Sequence, residues 1–356
     1  MKKSGVVSLG RIVVVAAAAC ALWLVCAAVA LMVGSTQLGG LGPEGLELLW
    51  RWLGGELTQT EEAILVQARL PRVVFAGLAG AALAVGGAVF QAVLRNPLAD
   101  PYILGISGGA ALGGTLVLVL GTFTVGVVAL GTPVGAFLGA MAALAVIFGV
   151  ERWTPPGRAS TYVLLLTGVI VNAFAASLIM FVQSVVTARK AQEILFYLMG
   201  SLAVEGTPGT TMGLVAVVTG LCLAVIYRYA VDLNALSLGD EEAAYLGVEV
   251  TSVRRVTVVV SSLAVAVAVA FTGIIGFVGL VVPHAIRLLV GPDHRVLIPA
   301  CAFGGAAFLT AADVLARGGF GLIGTTLPVG VLTSMIGAPV FLYFLWRSLK
   351  RSGGWG

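Results

Sequence analysis

The side chains that could carry out chemistry are few in this chain and lie far apart. The only histidines are His284 and His294, and a metal centre needs clustered His, Cys or carboxylate ligands. None of the four lysines lies in the GxxxxGK[ST] pattern that cradles nucleotide phosphates. We therefore expect no catalytic residue, no metal site and no cofactor in this chain.

Ion-coupled carriers place ionisable groups inside the membrane to relay protons or sodium ions. The apolar runs of this chain contain one such group, Asp313, which falls near the outer end of its run. The remaining polar candidates, Gln91, Asn172 and Gln183, are neutral. This pattern argues against a proton or sodium relay.

One long polar segment, Val231 to Arg255, interrupts the apolar sequence. Three acidic residues follow Gly239, and acidic residues after a turn favour the start of a helix. An apolar face on the same segment is formed by Leu236, Leu238, Ala243, Leu246 and Val248. A docking surface for a soluble partner and a solvated connector are both consistent with this pattern.

Three arginines, Arg69, Arg72 and Arg317, lie at the ends of apolar runs. Guanidinium groups bind carboxylates in a bidentate manner, so these arginines could meet the acidic residues of an external partner. Alternatively they extend to lipid headgroups or pair with Asp313, which is four residues before Arg317.

The elements that must position these residues are membrane helices. Of the 356 residues, 59% are hydrophobic and 10% are charged, whereas a soluble domain carries about 25% charged residues. This composition excludes a secreted domain, a cytosolic enzyme and a nucleic-acid binder. The 48 glycines fall largely inside apolar runs, where small residues let helices approach closely. Two GxxxG ladders, Gly105–Gly109–Gly113 and Gly131–Gly135–Gly139, are predicted to form such contacts.

The apolar runs predict ten spans, because backbone in hydrocarbon must satisfy its own hydrogen bonds and a span needs about 20 residues. The stretch from 253 to 291 is too long for one span and is divided at Phe271 to Gly279 and at Pro283. The outer loop from 34 to 70 is predicted to contain a short amphipathic helix. The other spans are predicted at 12–33, 72–94, 102–121, 123–150, 161–186, 210–231, 296–316 and 328–349.

Ten spans place both termini on one side of the membrane. Of the 20 Lys and Arg, six fall on the other side, namely Arg51, Arg69, Arg72, Arg189, Lys190 and Arg317. Because basic residues are concentrated in cytoplasmic loops, both termini are predicted to be cytoplasmic. The sequence thus predicts an all-α integral membrane protein in which residues 1–356 form one transmembrane domain.

Four segments resemble a known family in the same order along the chain. They are RLPRVVFAGLAGAALAVGGAVFQAVLRNPLADPYILGISGGAALG (69–113), LSLGDEEAAYLGV (236–248), GFVGLVVPHAIRLLVGPDHR (276–295) and LPVGVLTSMIGAPVFLYFLWR (327–347). They are similar to the FecCD/BtuC family, the permease subunits of type II ABC importers for iron-siderophore complexes, heme and vitamin B12. The resemblance covers nearly the whole chain.

The resemblance implies a ten-helix, BtuC-like bundle in the bacterial inner membrane, formed by two permease copies surrounded by lipid. Two ATPase subunits, which bind ATP and Mg, are expected at the inner face, and a periplasmic binding protein is expected at the outer face. The segment from about 232 to 250 matches the coupling helices of the family. Contact with the ATPase is thereby assigned to Gly239, Asp240, Glu241, Glu242, Ala243 and Gly247.

The resemblance also assigns roles at the two ends of the bundle. Docking of the binding protein falls to Arg69, Arg72 and Arg317, and the cytoplasmic gate to Asn96, Leu98, Ser160 and Thr161. One departure is Thr326, which stands where the family commonly has Glu and which removes an acidic group near Arg317. The alternative function is a secondary transporter or channel that works alone on a small organic solute.

Overall fold

A computed structural model describes residues 8–33, 43–121, 123–125, 128–153, 161–202, 209–318 and 326–351. The first half contains α1 (Leu9–Met32), α2 (Pro43–Gly54), α3 (Gln59–Glu62), α4 (Leu70–Val93), α5 (Ile106–Leu120), β1 (Phe123–Val125), β2 (Val128–Leu130) and α6 (Thr132–Trp153). The second half contains α7 (Thr161–Val185), α8 (Ala188–Leu198), α9 (Gly209–Arg228), α10 (Ala230–Leu236), α11 (Asp240–Tyr245), α12 (Val250–Thr272), α13 (Val278–Val290), α14 (His294–Gly318) and α15 (Val329–Arg351).

Seven helical segments in the described part of the chain are long and apolar enough to cross a membrane. They are α1, the continuous segment Gln59–Val93, α6, α7, α9, α12 and α14. Three shorter apolar helices, α5, α13 and the Val329–Phe344 part of α15, coincide with the remaining predicted runs. Each of the ten predicted runs contains an apolar helix, while the count of ten membrane spans and the cytoplasmic position of both termini stay predictions.

Two predicted boundaries were wrong. The second span was expected to begin at 72, but its helix extends back to Gln59, where a capping box between Thr58 and Glu61 starts it. The Thr58 N–H donates to Glu61 Oε2 at 2.8 Å. The intervening residues Ala63–Arg69 form a π-helical stretch that leads directly into α4.

The fourth span was expected to begin at 123, but α6 begins at Thr132. The strands β1 and β2 pair in antiparallel fashion before α6, with Phe123 opposite Leu130. β-Branched residues favour extended backbone, and Pro133 is suited to the first turn of a helix because it needs no N–H partner there. The amphipathic helix α2 is confirmed, as is the division of the 253–291 stretch at Phe271 to Gly279. The second expected break was wrong, because Pro283 lies inside α13.

The centre of the bundle is α4, which is buried on all sides between α12, α13 and α14. Its side chains Phe75, Leu83 and Phe90 are at most 1% exposed. Glycines bring the neighbouring backbones close, since a Cβ on Gly80 or Gly87 would overlap the backbone of α14 or α13. Without a hydrophobic force between helices in lipid, this close packing supplies the association energy.

The two GxxxG ladders form close helix contacts as predicted, and the structure brings them against each other through four of their six glycines. Gly109 lies against Gly139, and Gly113 lies against Gly135, so that α5 and α6 cross in backbone contact. A Cβ on Gly131 would make only an ordinary contact with Pro133, which is two residues away on the same chain segment. The remaining member, Gly105, has a φ of +78° and precedes the first turn of α5, where a left-handed residue is required.

This crossing can be tested with two substitutions on one helix. We expect Gly139→Ala to destabilise the protein by about 1–3 kcal/mol, because the added methyl group collides with the α5 backbone. The control Gly149→Ala, also on α6, has no atom within 4 Å of the added carbon and should unfold like the parent. Thermal unfolding in detergent measures both, and equal midpoints would contradict the packing described here.

Candidate functional site

The segment predicted to couple to a soluble partner forms α10, a turn and the short helix α11. Gly239 precedes α11 with a φ of +153° and a ψ of +160°, a conformation that is essentially confined to glycine. Gly247 follows α11 with a φ of +84°. The Gly247 N–H donates to the Ala244 carbonyl and the Val248 N–H to the Ala243 carbonyl, which is the Schellman pattern of a helix end. Backbone geometry therefore explains both glycines.

The acidic residues of α11 have different environments. Asp240 accepts a hydrogen bond from Nη2 of Arg254 at 2.6 Å, and Nη2 of Arg95 lies 3.5 Å from the same oxygen. These contacts join α11 to α12 and to the end of α4. Glu241 and Glu242 are exposed. Asp240 therefore anchors the segment, while the two glutamates remain available to a partner.

The predicted apolar face of this segment is divided in the structure. Ala243 and Leu236 are buried against the bundle, at 0% and 2% exposure. Leu238 and Leu246 are exposed instead, together with Tyr245, which is 91% exposed. Sequence reasoning missed Tyr245 as a surface residue, although its aromatic ring among acidic residues was a usable signal. The exposed surface of the segment is thus both acidic and apolar.

A cleft of about 870 Å³ lies beside this segment, between the end of α4, α10 and the start of α14. One wall is held by Asn234, whose Nδ2 donates to Asp293 Oδ1 at 3.0 Å and whose Oδ1 accepts from the His294 N–H at 2.8 Å. The Arg295 guanidinium bonds to Asp293 and, with Asn234, holds the pKa of that carboxyl well below its usual range. Asp293 stays ionised, so α10 remains tied to α14 at neutral pH.

The predicted cytoplasmic gate is described in part. Asn96 and Leu98 lie in the turn after α4, where Asn96 Oδ1 accepts from the Leu98 N–H at 2.9 Å. This bond closes the turn and leaves the Leu98 side chain 40% exposed. Thr161 begins α7, and Ser160 lies outside the described residues. The assignment of these four residues to a gate stays a prediction.

The three arginines predicted to dock a binding protein, Arg69, Arg72 and Arg317, have partners within the chain. Arg69 donates to the carbonyls of Leu31 and Met32 at 2.7 and 3.0 Å, and it is 4% exposed. Arg317 donates to the carbonyls of Val33 and Ala30 at 2.8 and 3.2 Å. Helix carbonyls at a C-terminus lack partners of their own and favour positive charge. Both guanidinium groups therefore cap the end of α1.

Asp313 supplies the opposing charge. Its Oδ1 lies 2.8 Å from Nη2 of Arg72, and its Oδ2 lies 2.9 Å from Nε of Arg317. Pairing with Asp313 is the alternative that spacing had left open for Arg317, and the structure extends it to Arg72. Docking of an external partner by these arginines stays a prediction, while their observed contacts join α1, α4 and α14.

The capping role of Arg69 gives a test that separates stability from docking. Arg69→Met should destabilise the protein by about 1–3 kcal/mol for each carbonyl left without a donor. Because the site is buried, the loss should be the same at low and high salt. Arg51→Met is the control, since the Arg51–Glu61 pair is more exposed and should contribute little, with a dependence on salt. A parent-like unfolding midpoint for Arg69→Met would contradict the capping role.

Comparison with known proteins gives relatives along the whole bundle. The FecCD transport family model matches residues 13–347. The cobalamin import system permease BtuC of Halobacterium salinarum is 42% identical over 81% of this chain and 74% of its own length. The hemin transport system permease HmuU of Yersinia pestis is 38% identical over 92% and 95% of the two chains.

A solved structure supports the same relationship. It is described as an inward-facing conformation of a metal-chelate type ABC transporter, and it matches with a TM-score of 0.80 and 30% identity. The match covers 93% of this chain and 98% of the other. Both relatives named above are permeases by name, and the seven long apolar helices of this chain agree with a multi-pass membrane protein. The chain therefore belongs to the FecCD transport family, the permease subunits of type II ABC importers.

Proposed function

We propose that this chain is a permease subunit that moves an iron chelate (a siderophore complex or heme) or cobalamin from a periplasmic binding protein into the cytoplasm. The permease itself is non-catalytic, and partner ATPase subunits supply the energy. The working unit is a homodimer with two ATPase subunits in the inner membrane. Ten spans with both termini cytoplasmic follow from the distribution of basic residues.

The observation that carries this proposal is the form of the coupling segment. A six-residue helix is bounded by two glycines in left-handed or glycine-only conformations and is anchored through Asp240 and Ala243. The side of this helix that faces away from the bundle presents Glu241, Glu242 and Tyr245 to solvent. A plain connector between spans has no need of a capped, rigidly anchored helix. A partner that pushes on the inner face requires such a capped and anchored helix, because force is transmitted only through a stiff element.

The outer arginines and the gate belong to the same proposal. Arg72 keeps 14% of its side chain exposed, more than Arg317, so it is the member of the trio best able to meet a binding protein. Asn96 and Leu98 lie at the inner end of α4, next to Arg95, which contacts the coupling segment. Motion of α11 would therefore reach the gate turn through the Arg95–Asp240 contact.

The coupling role is tested by charge reversal on the exposed glutamates. The double variant Glu241→Lys/Glu242→Lys should lose ATP-driven uptake or separate from its ATPase, because both side chains face the proposed partner. The matched control Glu44→Lys/Glu47→Lys reverses two exposed glutamates on α2, which is predicted to lie on the outer side. Assembly is measured by co-purification and uptake in proteoliposomes. Normal coupled transport in the Glu241/Glu242 variant would remove the coupling assignment.

The energy source is tested separately from the interface. The reconstituted complex should hydrolyse ATP faster when the binding protein is added. Its uptake of substrate should require both ATP hydrolysis and the binding protein. An uncoupler that collapses the proton gradient should leave uptake unchanged while ATP is maintained. A stand-alone secondary transporter would instead stop with the uncoupler. Uptake that persists with a hydrolysis-deficient ATPase would refute the ABC mechanism.

A further inference from the structure

Helix α5 begins where its own sequence supplies no cap. Gly105 precedes it with a φ of +78° and has no side chain to accept from the first free N–H groups. Asn172 on α7 takes this place, since its Oδ1 accepts from the Gly108 N–H at 3.1 Å. Gly108 is the third residue of α5, the position that an N-cap side chain normally bonds. The cap of α5 thus comes from another helix.

Glycines allow α7 to come near enough for this bond. A Cβ on Gly108 would overlap the Asn172 side chain, and one on Gly105 would press on the Gly168 carbonyl of α7. The amide nitrogen of Asn172 is also bonded, since its Nδ2 donates to the Tyr102 carbonyl. Both ends of the Asn172 amide are therefore bound to the turn and first residues that lead into α5.

Tyr102 extends the link to a third element. Its hydroxyl donates to the Ile275 carbonyl at 2.6 Å and accepts from the Ile275 N–H at 2.7 Å. Ile275 lies in the irregular stretch 273–277, between α12 and α13. Backbone groups released by a broken helix within a bilayer need a protein partner. Asn172 and Tyr102 therefore supply hydrogen-bond partners for backbone groups at the helix breaks before α5 and before α13.

Other contacts of α7 with the bundle are largely apolar. Among the α7 side chains that the structure describes, Asn172 is the one that hydrogen-bonds to another element. Ser177 and Ser184 bond back to their own helix, to the carbonyls of Ala173 and Phe181. Sliding of α7 along α5 would cost little in apolar contact but would break the Asn172 bonds. Those bonds therefore fix the register between the two helices.

A cavity of about 380 Å³ adjoins this link. Its wall includes Tyr102, Asn172 and Ile274, and Met180 and Gln183 of α7 complete one side. The residues that hold α7 in register also shape the cavity. A shift of α7 would change the cavity and release the α5 cap in one movement.

From this geometry we infer that Asn172 is a positioning residue for transport, which latches α7 to the start of α5 and, through Tyr102, to the α12–α13 break. The latch is closed in the structure described here and opens when α7 moves during the transport cycle. This inference rests on the proposed function. Asn172 itself performs no chemistry on the solute.

The bond is tested first without any transport measurement. Hydrogen–deuterium exchange of the purified permease should become about tenfold faster over residues 106–112 in Asn172→Leu, because the Gly108 amide loses its acceptor. Tyr102→Phe should leave that region protected and speed exchange over 273–277. The control Ser177→Ala, which removes an exposed α7 hydroxyl bonded within its own helix, should match the parent. Parent-like exchange in Asn172→Leu overturns the inference.

The role in transport is tested in the assembled complex by ATP hydrolysis with and without the binding protein. Without the latch, α7 no longer holds the resting state, so the ratio of stimulated to basal hydrolysis should fall several-fold in Asn172→Leu. Tyr102→Phe should also lower the ratio of stimulated to basal hydrolysis. This second variant keeps the test valid if Asn172→Leu does not fold. An unchanged ratio in both variants overturns the positioning role. A parent complex without any stimulation overturns the proposed function instead.

Discussion

A helix end inside a bilayer has no water to bind, so its free N–H and carbonyl groups must find partners within the protein. This constraint accounts for four of the polar residues inside the bundle. Arg69 and Arg317 bind the last carbonyls of α1, and Asn172 accepts from the Gly108 N–H in the first turn of α5. Tyr102 binds both backbone groups of Ile275. Residues that look like candidates for chemistry in the sequence act here as caps.

The same constraint divides the protein into a fixed part and parts that can shift. Helix α4 is buried on all sides and is locked by glycine contacts to α13 and α14. In contrast, Asn172 is the one described α7 side chain that hydrogen-bonds to another element. Helix α11 is joined to its neighbours by the ion pairs of Asp240. A permease that alternates between two access states needs such a rigid centre with elements attached at few points.

Several features of the fold were predictable because they depend on local sequence. Apolar runs of spanning length predicted the helices, the glycine pattern predicted close contacts of α5 and α6 with other helices, and acidic residues after Gly239 predicted the start of α11. The failures were at boundaries. A capping box moved one helix start back to Gln59, and two short paired strands delayed another to Thr132. Such endpoints depend on single hydrogen bonds, which hydropathy does not detect.

The sequence by itself determined the membrane character, the order of the helices and the family, because composition, periodicity and motif order need no knowledge of contacts. Only the tertiary structure decided which polar groups meet. Arg72 and Asp313 are 241 residues apart, and Asn172 and Gly108 are 64 apart. No local pattern specifies such pairs, since they arise from how helices pack against one another. The packing therefore decides that Arg69 and Arg317 cap α1, that Arg72 pairs with Asp313, and that Asn172 bonds to the residues at the start of α5.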